Sequence, residues 1–117
     1  SNLPKITLKG VIDINETKVF HNPVVVKEGT VFRLNSKKSI YFYGDLKIKG
    51  TKEKPVIFKP LFKAKPWGIV GIWSKNAKLS FVKVEGGSVD ERKLVHFTAP
   101  LSFHNVKNLK ADHLKIL

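Results

Sequence analysis

The sequence predicts an all-β fold, and three properties of its apolar residues carry that prediction. The apolar residues come in short bursts, mostly of three or four. Valine, isoleucine and phenylalanine together far outnumber alanine, which favours pleated, half-buried surface over helix. Within bursts the period is two, as in Leu46-Lys47-Ile48-Lys49 and from Leu79 to Val84, so one face of each strand meets the core and the other meets water.

The bursts, taken in chain order, are the expected strands. They are Ile6 to Leu8, Val11 to Ile14, Val24 to Val26, Val31 to Leu34, Ile40 to Phe42, Leu46 to Ile48, Val56 to Phe58, Ile69 to Ile72, Leu79 to Val84, Leu94 to Phe97, Leu101 to Phe103 and Leu114 to Ile116. Glycine, proline, asparagine and aspartate separate many of the bursts, as at Asn22-Pro23, Tyr43-Gly44-Asp45 and Gly86-Gly87. These residue types favour turns, so we expect short strands joined by tight corners.

The spacing of the bursts predicts how the strands are arranged. Val24 and Leu46 are 22 residues apart, Leu46 and Ile69 are 23 apart, and Leu94 and Ile116 are 22 apart. A period near 22 accommodates three short strands and three turns, which is one coil of a parallel β-helix. The 117 residues then form about five coils, with Leu46, Ile48, Val56 and Phe58 pointing inward. A small antiparallel sandwich or barrel is the alternative, disfavoured because Asn-Gly and Asp-Gly hairpin turns are absent.

Longer stretches of the chain resemble a known family. Pro23 to Leu34, Ile40 to Thr51 and Lys54 to Phe58 are similar to the right-handed parallel β-helix repeats of secreted and surface bacterial proteins, with the pectate-lyase-like architecture. Trp67 to Ile72 resembles the tryptophan-glycine strand of those repeats, and Leu79 to Gly87 resembles the next strand with its glycine corner. The resemblance implies a right-handed single-stranded helix and an extracellular, periplasmic or cell-surface location. It does not imply an activity, because this architecture carries lyases, hydrolases, adhesins and plain spacers.

The length and composition indicate one domain, spanning residues 1–117, that is a piece of a larger protein. The sequence lacks methionine and therefore an initiator, and Ser1-Asn2 is typical of the scar that a tag protease leaves. The last burst stops at Leu117 in mid-strand, so we expect truncation at one or both ends. No run approaches the roughly 18 apolar residues of a transmembrane segment. The absence of cysteine excludes disulfides, thiolate metal sites and cysteine nucleophiles.

Catalytic motifs are not visible in the sequence, and we lean against an enzyme and expect no cofactor or metal. Only Asp90 and Glu91 of the nine acidic residues are adjacent, and a solvated loop explains them. Convergence of Asp13, Asp45 and Asp112 across coils would instead favour a polysaccharide lyase or glycoside hydrolase fragment. Convergence of three of the four histidines, His96, His104 and His113, would indicate a zinc site.

The charge balance is the strongest functional signal. The formal net charge is +13, and all but two of the 22 cationic residues are lysines. Lysine attracts anions diffusely, whereas bidentate recognition of phosphate or guanine uses arginine, so sequence-specific nucleic-acid binding is not expected. A lysine-rich stretch from Lys47 to Lys65 follows Tyr41 and Tyr43 and precedes Trp67 and Trp73. The predicted binding residues are Tyr43, Lys47, Lys49, Lys63, Lys65, Trp67 and Trp73.

These observations predict a non-catalytic structural or binding module that presents a basic, aromatic-bearing face to an acidic polysaccharide. Ammonium groups would pair with carboxylates and sugar rings would stack on aromatic side chains. Three alternatives stay open: the enzyme fragment, a non-specific polyanion or nucleic-acid binder, and end-to-end self-association through the terminal strand edges. Lysines that merely protect strand edges against aggregation would explain the charge without any ligand.

Overall fold

The structure, a computed structural model, describes residues 3–87 and 100–117. These residues form strands and no helix, so none of them belongs to a helix that could cross a membrane. The strands are β1 (Ile6–Leu8), β2 (Val11–Ile14), β3 (Lys18–Phe20), β4 (Val24–Val26), β5 (Val31–Leu34), β6 (Ile40–Phe42), β7 (Leu46–Lys49), β8 (Val56–Pro60), β9 (Val70–Ile72), β10 (Asn76–Val84), β11 (Leu101–Phe103) and β12 (Asn108–Ile116). The predicted burst from Leu94 to Phe97 lies outside the described residues.

Each strand pairs in parallel with the strand that occupies the same place in the next layer. We call β1–β3, β4–β6, β7–β9, β10–β11 and β12 layers one to five. One sheet runs β1-β4-β7-β10-β8-β5-β2 with β12 on β10, and the other runs β11-β9-β6-β3. The pairings between the described strands are parallel, which confirms the all-β prediction and contradicts the antiparallel alternative.

The register shows that the predicted uniform period is wrong. Val24 does pair with Leu46, but Leu46 pairs with Ala77 and not with Ile69, the residue that a uniform period selects. Ile116 pairs with Val84, whereas a uniform period would align it with Leu94. The connection between β8 and β9 is long, and β10 and β11 are far apart in sequence, so successive layers differ in the number of residues they span. A uniform period fails because the sheet fixes the register of strands and leaves loop length free.

Strand β10 turns a corner that the sequence pattern does not predict. Its first half pairs with β7 and its second half with β8. The corner residue Phe81 has a φ of 50°, and His113 in β12 repeats it with a φ of 51°. The corner reverses the side-chain alternation, so Leu79 and Val82 are both buried while Phe81 is half-buried. The expected alternation from Leu79 to Val84 is therefore wrong at Phe81.

The core consists of inward side chains that stack on their equivalents. Leu46, Ile48, Val56 and Phe58 are each at most 2% exposed, as predicted. Phe58 stacks on Phe32 with ring centroids 4.6 Å apart and planes 8° from parallel. Burial stabilises the folded state by about 1.5 to 3 kcal/mol for each such side chain. These stacks hold successive layers in register.

Two buried serines lie at corners of the layers and differ in their hydrogen bonding. Ser39 Oγ accepts a hydrogen bond from the Ile69 amide at 3.0 Å. The Ser39 amide in turn donates to Thr17 Oγ1 at 3.2 Å, which links three successive layers. Ser74 Oγ is buried and finds no hydrogen-bond partner within the part of the chain that the structure describes. Of these two hydroxyls, that of Ser39 therefore contributes a hydrogen bond to the fold.

Replacing each serine by alanine should separate these roles. Ser39→Ala leaves the Ile69 amide without an acceptor and should lower the free energy of unfolding by about 1 to 3 kcal/mol. Ser74→Ala removes an unpaired hydroxyl and should leave the free energy of unfolding unchanged or raise it by up to about 1 kcal/mol. Urea titrations of both variants measure the difference. Equal destabilisation by the two substitutions would contradict the assigned hydrogen bonds.

Candidate functional site

Two columns of lysines cover the outer surface of one side of the larger sheet. We call this surface the lysine face. In the first column Lys47 pairs with Lys78, and Lys78 pairs with Lys110. The second column lies two residues further along the strands, where Lys9, Lys27 and Lys49 follow the paired residues Leu8, Val26 and Ile48. All six lysines are exposed.

The spacing of this surface follows from strand geometry. Neighbouring strands are about 4.8 Å apart, and side chains two residues apart on one strand are about 6.6 Å apart. The two columns overlap only at β7, because Lys47, Lys78 and Lys110 lie in layers three to five and Lys9, Lys27 and Lys49 lie in layers one to three. Beyond Lys49 the second column continues with Ser80 and Asp112. A depression of about 210 Å³ lies between the two columns, lined by Lys47, Ile48, Lys49 and Lys78. The predicted pair Lys47 and Lys49 lies on this surface, as the alternation indicated.

A ladder of amides borders the first lysine column. Asn76 Nδ2 donates to Asp45 Oδ1 at 3.1 Å, and Asn108 Nδ2 donates to Asn76 Oδ1 at 2.6 Å. A second depression, of about 200 Å³, brings this ladder and the lysines of the first column together. Its polar lining residues are Asp45, Lys47, Asn76, Lys78, Asn108 and Lys110. Amide groups, which can both donate to and accept from hydroxyls, thus share one depression with three ammonium groups and the Asp45 carboxylate.

The three aspartates that would support an enzyme do not form one site. Arg33 binds Asp13 through two hydrogen bonds of 2.6 and 2.8 Å, and Asp45 accepts from Asn76. Asp112 lies 3.0 Å from His113 Nδ1 and accepts from Ser80 at 3.1 Å. The hydrogen bond with His113 is the main cause that lowers the pKa of Asp112 below its ordinary value. Each carboxylate is held by its own partners, and the predicted Asp90 and Glu91 lie outside the described residues.

A column of four rings runs across the layers at the corner next to the amide ladder. We call it the aromatic ladder; it consists of His21, Tyr43, Trp73 and His104. The centroid distances are 5.2 Å from His21 to Tyr43, 5.4 Å from Tyr43 to Trp73 and 3.8 Å from Trp73 to His104. The planes of these neighbouring rings are within 24° of parallel. The rings therefore stack on one another along the column.

This stacking determines what Tyr43 and Trp73 offer to a ligand. Trp73 lies between Tyr43 and His104, so both faces of its indole are covered, and Tyr41 packs against it edge-on at 5.7 Å. Tyr43 is 42% exposed, but its faces meet His21 and Trp73. Sugar rings stack on free aromatic faces, and here the ladder presents mainly ring edges to solvent. Each of these two residues therefore has ring neighbours on both faces within the ladder, and the stacking of sugar on them stays a prediction.

The other predicted residues lie elsewhere. Trp67 is 0% exposed and donates its indole N–H to the Glu85 carbonyl at 2.8 Å, so it offers no surface to a ligand. Lys63 and Lys65 belong to the connection between β8 and β9. Lys63 lines a separate depression with Lys59 and Glu85, and Lys65 lies 5.8 Å from the Phe62 ring centroid. The structure does not bring them to the lysine face.

The histidines that the structure describes do not gather into a metal site. His21 and His104 belong to the aromatic ladder, and His113 stacks on Phe81 at 4.1 Å. His96 lies outside the described residues. Among residues 3–87 and 100–117, no group of three histidine, aspartate or glutamate side chains is placed to hold a metal ion.

Sequence reasoning missed four members of the lysine face, Lys9, Lys27, Lys78 and Lys110. The signal for Lys78 and Lys110 was their alternation with apolar neighbours, which resembles the pattern around Lys47. The assumed period aligned β7 with Ile69 instead of Ala77, so that alternation was not compared across the correct strands. The two histidines of the aromatic ladder were missed for the same reason.

The comparisons with known proteins add no assignment: no protein-family model, curated protein or solved structure matches this chain. The resemblance to secreted β-helix repeats therefore stays a prediction. The observed strands support its coarser part, an all-β fold of parallel strands in curled sheets.

In-register lysines repel one another, so breaking the column should stabilise the fold. Like charges directly opposite each other across strands are destabilising, whereas opposite-charge pairs there contribute roughly 0.2 to 1 kcal/mol. Lys78→Glu places a carboxylate between Lys47 and Lys110, but it also removes the Coulombic attraction between Lys78 and Asp112. The two new attractive pairs outweigh that one loss, so the free energy of unfolding should rise by about 0.2 to 0.5 kcal/mol at low salt. The gain should largely disappear at about 1 M salt, where the Debye length is about 3 Å.

Lys63→Glu is the matched control, because it makes the same change in net charge on a loop away from the column. Denaturant titrations of the two variants at both salt concentrations give the comparison. If Lys63→Glu stabilises the protein as much as Lys78→Glu does, relief of net charge and not the column explains the effect.

The aromatic ladder depends on the absence of a side chain at Gly71. An added Cβ would lie 2.5 Å from Tyr41 Cδ1 and 2.7 Å from Trp73 Cζ3, so both rings would have to move. Gly71→Ala should lower the free energy of unfolding by about 1 to 3 kcal/mol and weaken the near-ultraviolet circular dichroism of tryptophan. Gly10→Ala, which adds the same methyl group at a position with no atom within 4 Å, should keep that signal. An unchanged spectrum for Gly71→Ala would show that the rings are packed differently.

Proposed function

We propose that this chain is a short right-handed parallel β-helix and that it serves as a non-catalytic binding module of a larger exported bacterial protein. Its lysine face binds an acidic polysaccharide, and its place of action is outside the cell, in the periplasm or at the cell surface. The observation that carries the proposal is the register that aligns Lys47, Lys78 and Lys110 in layers three to five, while Lys9, Lys27 and Lys49 continue the basic surface through layers one to three.

The lysine columns favour a polymeric anion over a single small one. Six exposed ammonium groups spread over several strands, and the folded chain holds them together at a cost in repulsion. A chain of regularly spaced negative charges lying across the strands neutralises several of them at once. Each contact also releases bound counterions, so affinity should fall steeply as salt rises.

The surroundings of the columns favour polysaccharide over nucleic acid. The amide ladder of Asn76 and Asn108 lines the same depression as Lys47, Lys78 and Lys110, and amides are suited to the hydroxyl groups of sugars. Single-stranded nucleic acid is held largely by bases stacked on free aromatic faces. In the aromatic ladder the faces of Tyr43 and Trp73 are covered. Nothing in the arrangement of Asp13, Asp45 and Asp112 supports a lyase or hydrolase.

The proposal is tested by binding of the protein to polygalacturonate, to neutral dextran and to single-stranded DNA. We expect saturable binding to polygalacturonate at near-physiological salt, weaker binding to DNA and none to dextran. A triple variant, Lys47→Gln with Lys78→Gln and Lys110→Gln, should lower the affinity for polygalacturonate about tenfold or more, because each lost charge contact contributes about 0.5 to 1 kcal/mol.

A matched triple variant separates the face from the net charge. Lys18→Gln with Lys63→Gln and Lys65→Gln removes the same charge away from the lysine face and should change the affinity about twofold or less. Equal losses in both triples would mean that binding follows net charge alone and would reject the assigned face. DNA bound as tightly as polygalacturonate at every salt concentration would make the protein a non-specific polyanion binder.

A further inference from the structure

Another cavity, which we call the corner cavity, lies around the corner from the lysine face, where β10 and β12 bend. It has a volume of about 350 Å³, which is at the lower end of the range for small-molecule sites. Its walls are Pro55, Phe81, Val82, His113 and Leu114, and its rim carries lysines at positions 52, 83 and 115. Among the residues that the structure describes, none of those lining this cavity is acidic.

The cavity arises because neighbouring layers connect their strands differently. In layer three, residues 50–55 form a loop between β7 and β8. In layers four and five that loop is replaced by one residue, Phe81 or His113. The loop therefore projects beside the bend, with Lys52 and Pro55 as one wall and the stacked rings of Phe81 and His113 as the other.

The backbone at this bend is strained at Phe81 and His113, whose rings stack on each other. Phe81 and His113 both have φ near +50°, a region that bulky residues rarely adopt and that costs about 1 to 2 kcal/mol for each. Asparagine accepts this conformation more readily than phenylalanine does. The rings stack with centroids 4.1 Å apart and planes 7° from parallel, which offsets part of that cost. The arrangement keeps an aromatic surface at the opening of the cavity.

We propose that this cavity binds a small aromatic carboxylate, with its ring against Phe81, Pro55 and Leu114 and its carboxylate between Lys83 and Lys115. These two lysines are paired in register, so their stems start about 4.8 Å apart and both ammonium groups reach one anion. Lys52, on the loop, also lines this cavity. An apolar floor rimmed by cations disfavours neutral polar molecules and cations alike.

The other three depressions are less suited to a small aromatic carboxylate. Those on the lysine face belong to the polysaccharide surface already proposed and lack an aromatic wall among their described lining residues. The depression near Lys59 and Lys63 has no aromatic ring among its described lining residues. The corner cavity alone, among these four in the described part of the chain, combines aromatic rings, an apolar floor and a rim of lysines.

Benzoate is the probe, followed by changes in the amide NMR signals of the whole 117-residue chain. Shifts should saturate at residues 81–83 and 113–115 with a dissociation constant of about 1 to 10 mM, as expected for a ligand of this size. Benzamide, which has the ring without the charge, and acetate, which has the charge without the ring, should each bind about fivefold more weakly or not at all.

Variants assign the contacts. Lys83→Gln with Lys115→Gln should weaken benzoate binding about tenfold, and Phe81→Asn should do the same while easing the backbone strain and preserving the fold. The pair Lys47→Gln and Lys78→Gln on the lysine face should leave benzoate binding unchanged. That pair should weaken polygalacturonate binding, so the proposed benzoate site and the proposed polysaccharide face are tested independently.

Three results would overturn the proposal. One is the absence of saturable shifts at about 50 mM benzoate, far above the expected dissociation constant. Another is acetate binding as tightly as benzoate, which would make the lysines a generic anion site. The third is an equal loss of benzoate binding in the Lys47 and Lys78 pair, which would place the bound anion on the lysine face.

Discussion

Parallel pairing in register places every side chain about 4.8 Å from the equivalent side chains of the layers before and after it. Each position along a strand therefore becomes a column, and a column is favourable or costly depending on what repeats in it. Inside, repetition is favourable, as where Phe32 stacks on Phe58 and Phe20 on Phe42. Outside, the same geometry sets Lys47, Lys78 and Lys110 side by side, where their charges repel. Stability and surface chemistry both follow from this one constraint.

Register also explains why the layers differ in length without disturbing the fold. Equivalent positions are as close as 18 residues apart at Pro4 and Asn22 and as far as 32 apart at Asn76 and Asn108. The entropic cost of closing a loop grows only slowly with its length. Long connections therefore leave the columns intact and change only the surface beside them. The corner cavity is such a change, since a loop in one layer meets a single-residue bend in the next.

Two features of the surface conflict with the local preferences of their residues, namely the lysine column and the positive φ angles at the bend. Strand lysines in register oppose one another, and Phe81 and His113 occupy a backbone region that suits glycine or asparagine. Folded proteins tolerate such conflicts where the surrounding packing overrides them, and the conflicts often coincide with binding sites. The aromatic ladder shows the opposite case. Its rings stack on one another, so the ladder contributes to the packing of the corner and leaves little free aromatic face.

The sequence by itself indicated most of the strands, but neither β3 nor residues 108–113 of β12 were predicted. It determined that Leu46, Ile48, Val56 and Phe58 point inward, because a period of two is a property of the strand alone. It also placed Lys47 and Lys49 outside. Only the tertiary structure decided which strands are neighbours. The pairing of the strands places Lys47 beside Lys78 and bends the chain at Phe81. It also covers the faces of Trp73 and buries Trp67. The physical reason is that register depends on contacts between layers, and loops of variable length hide those contacts from any fixed spacing in the sequence.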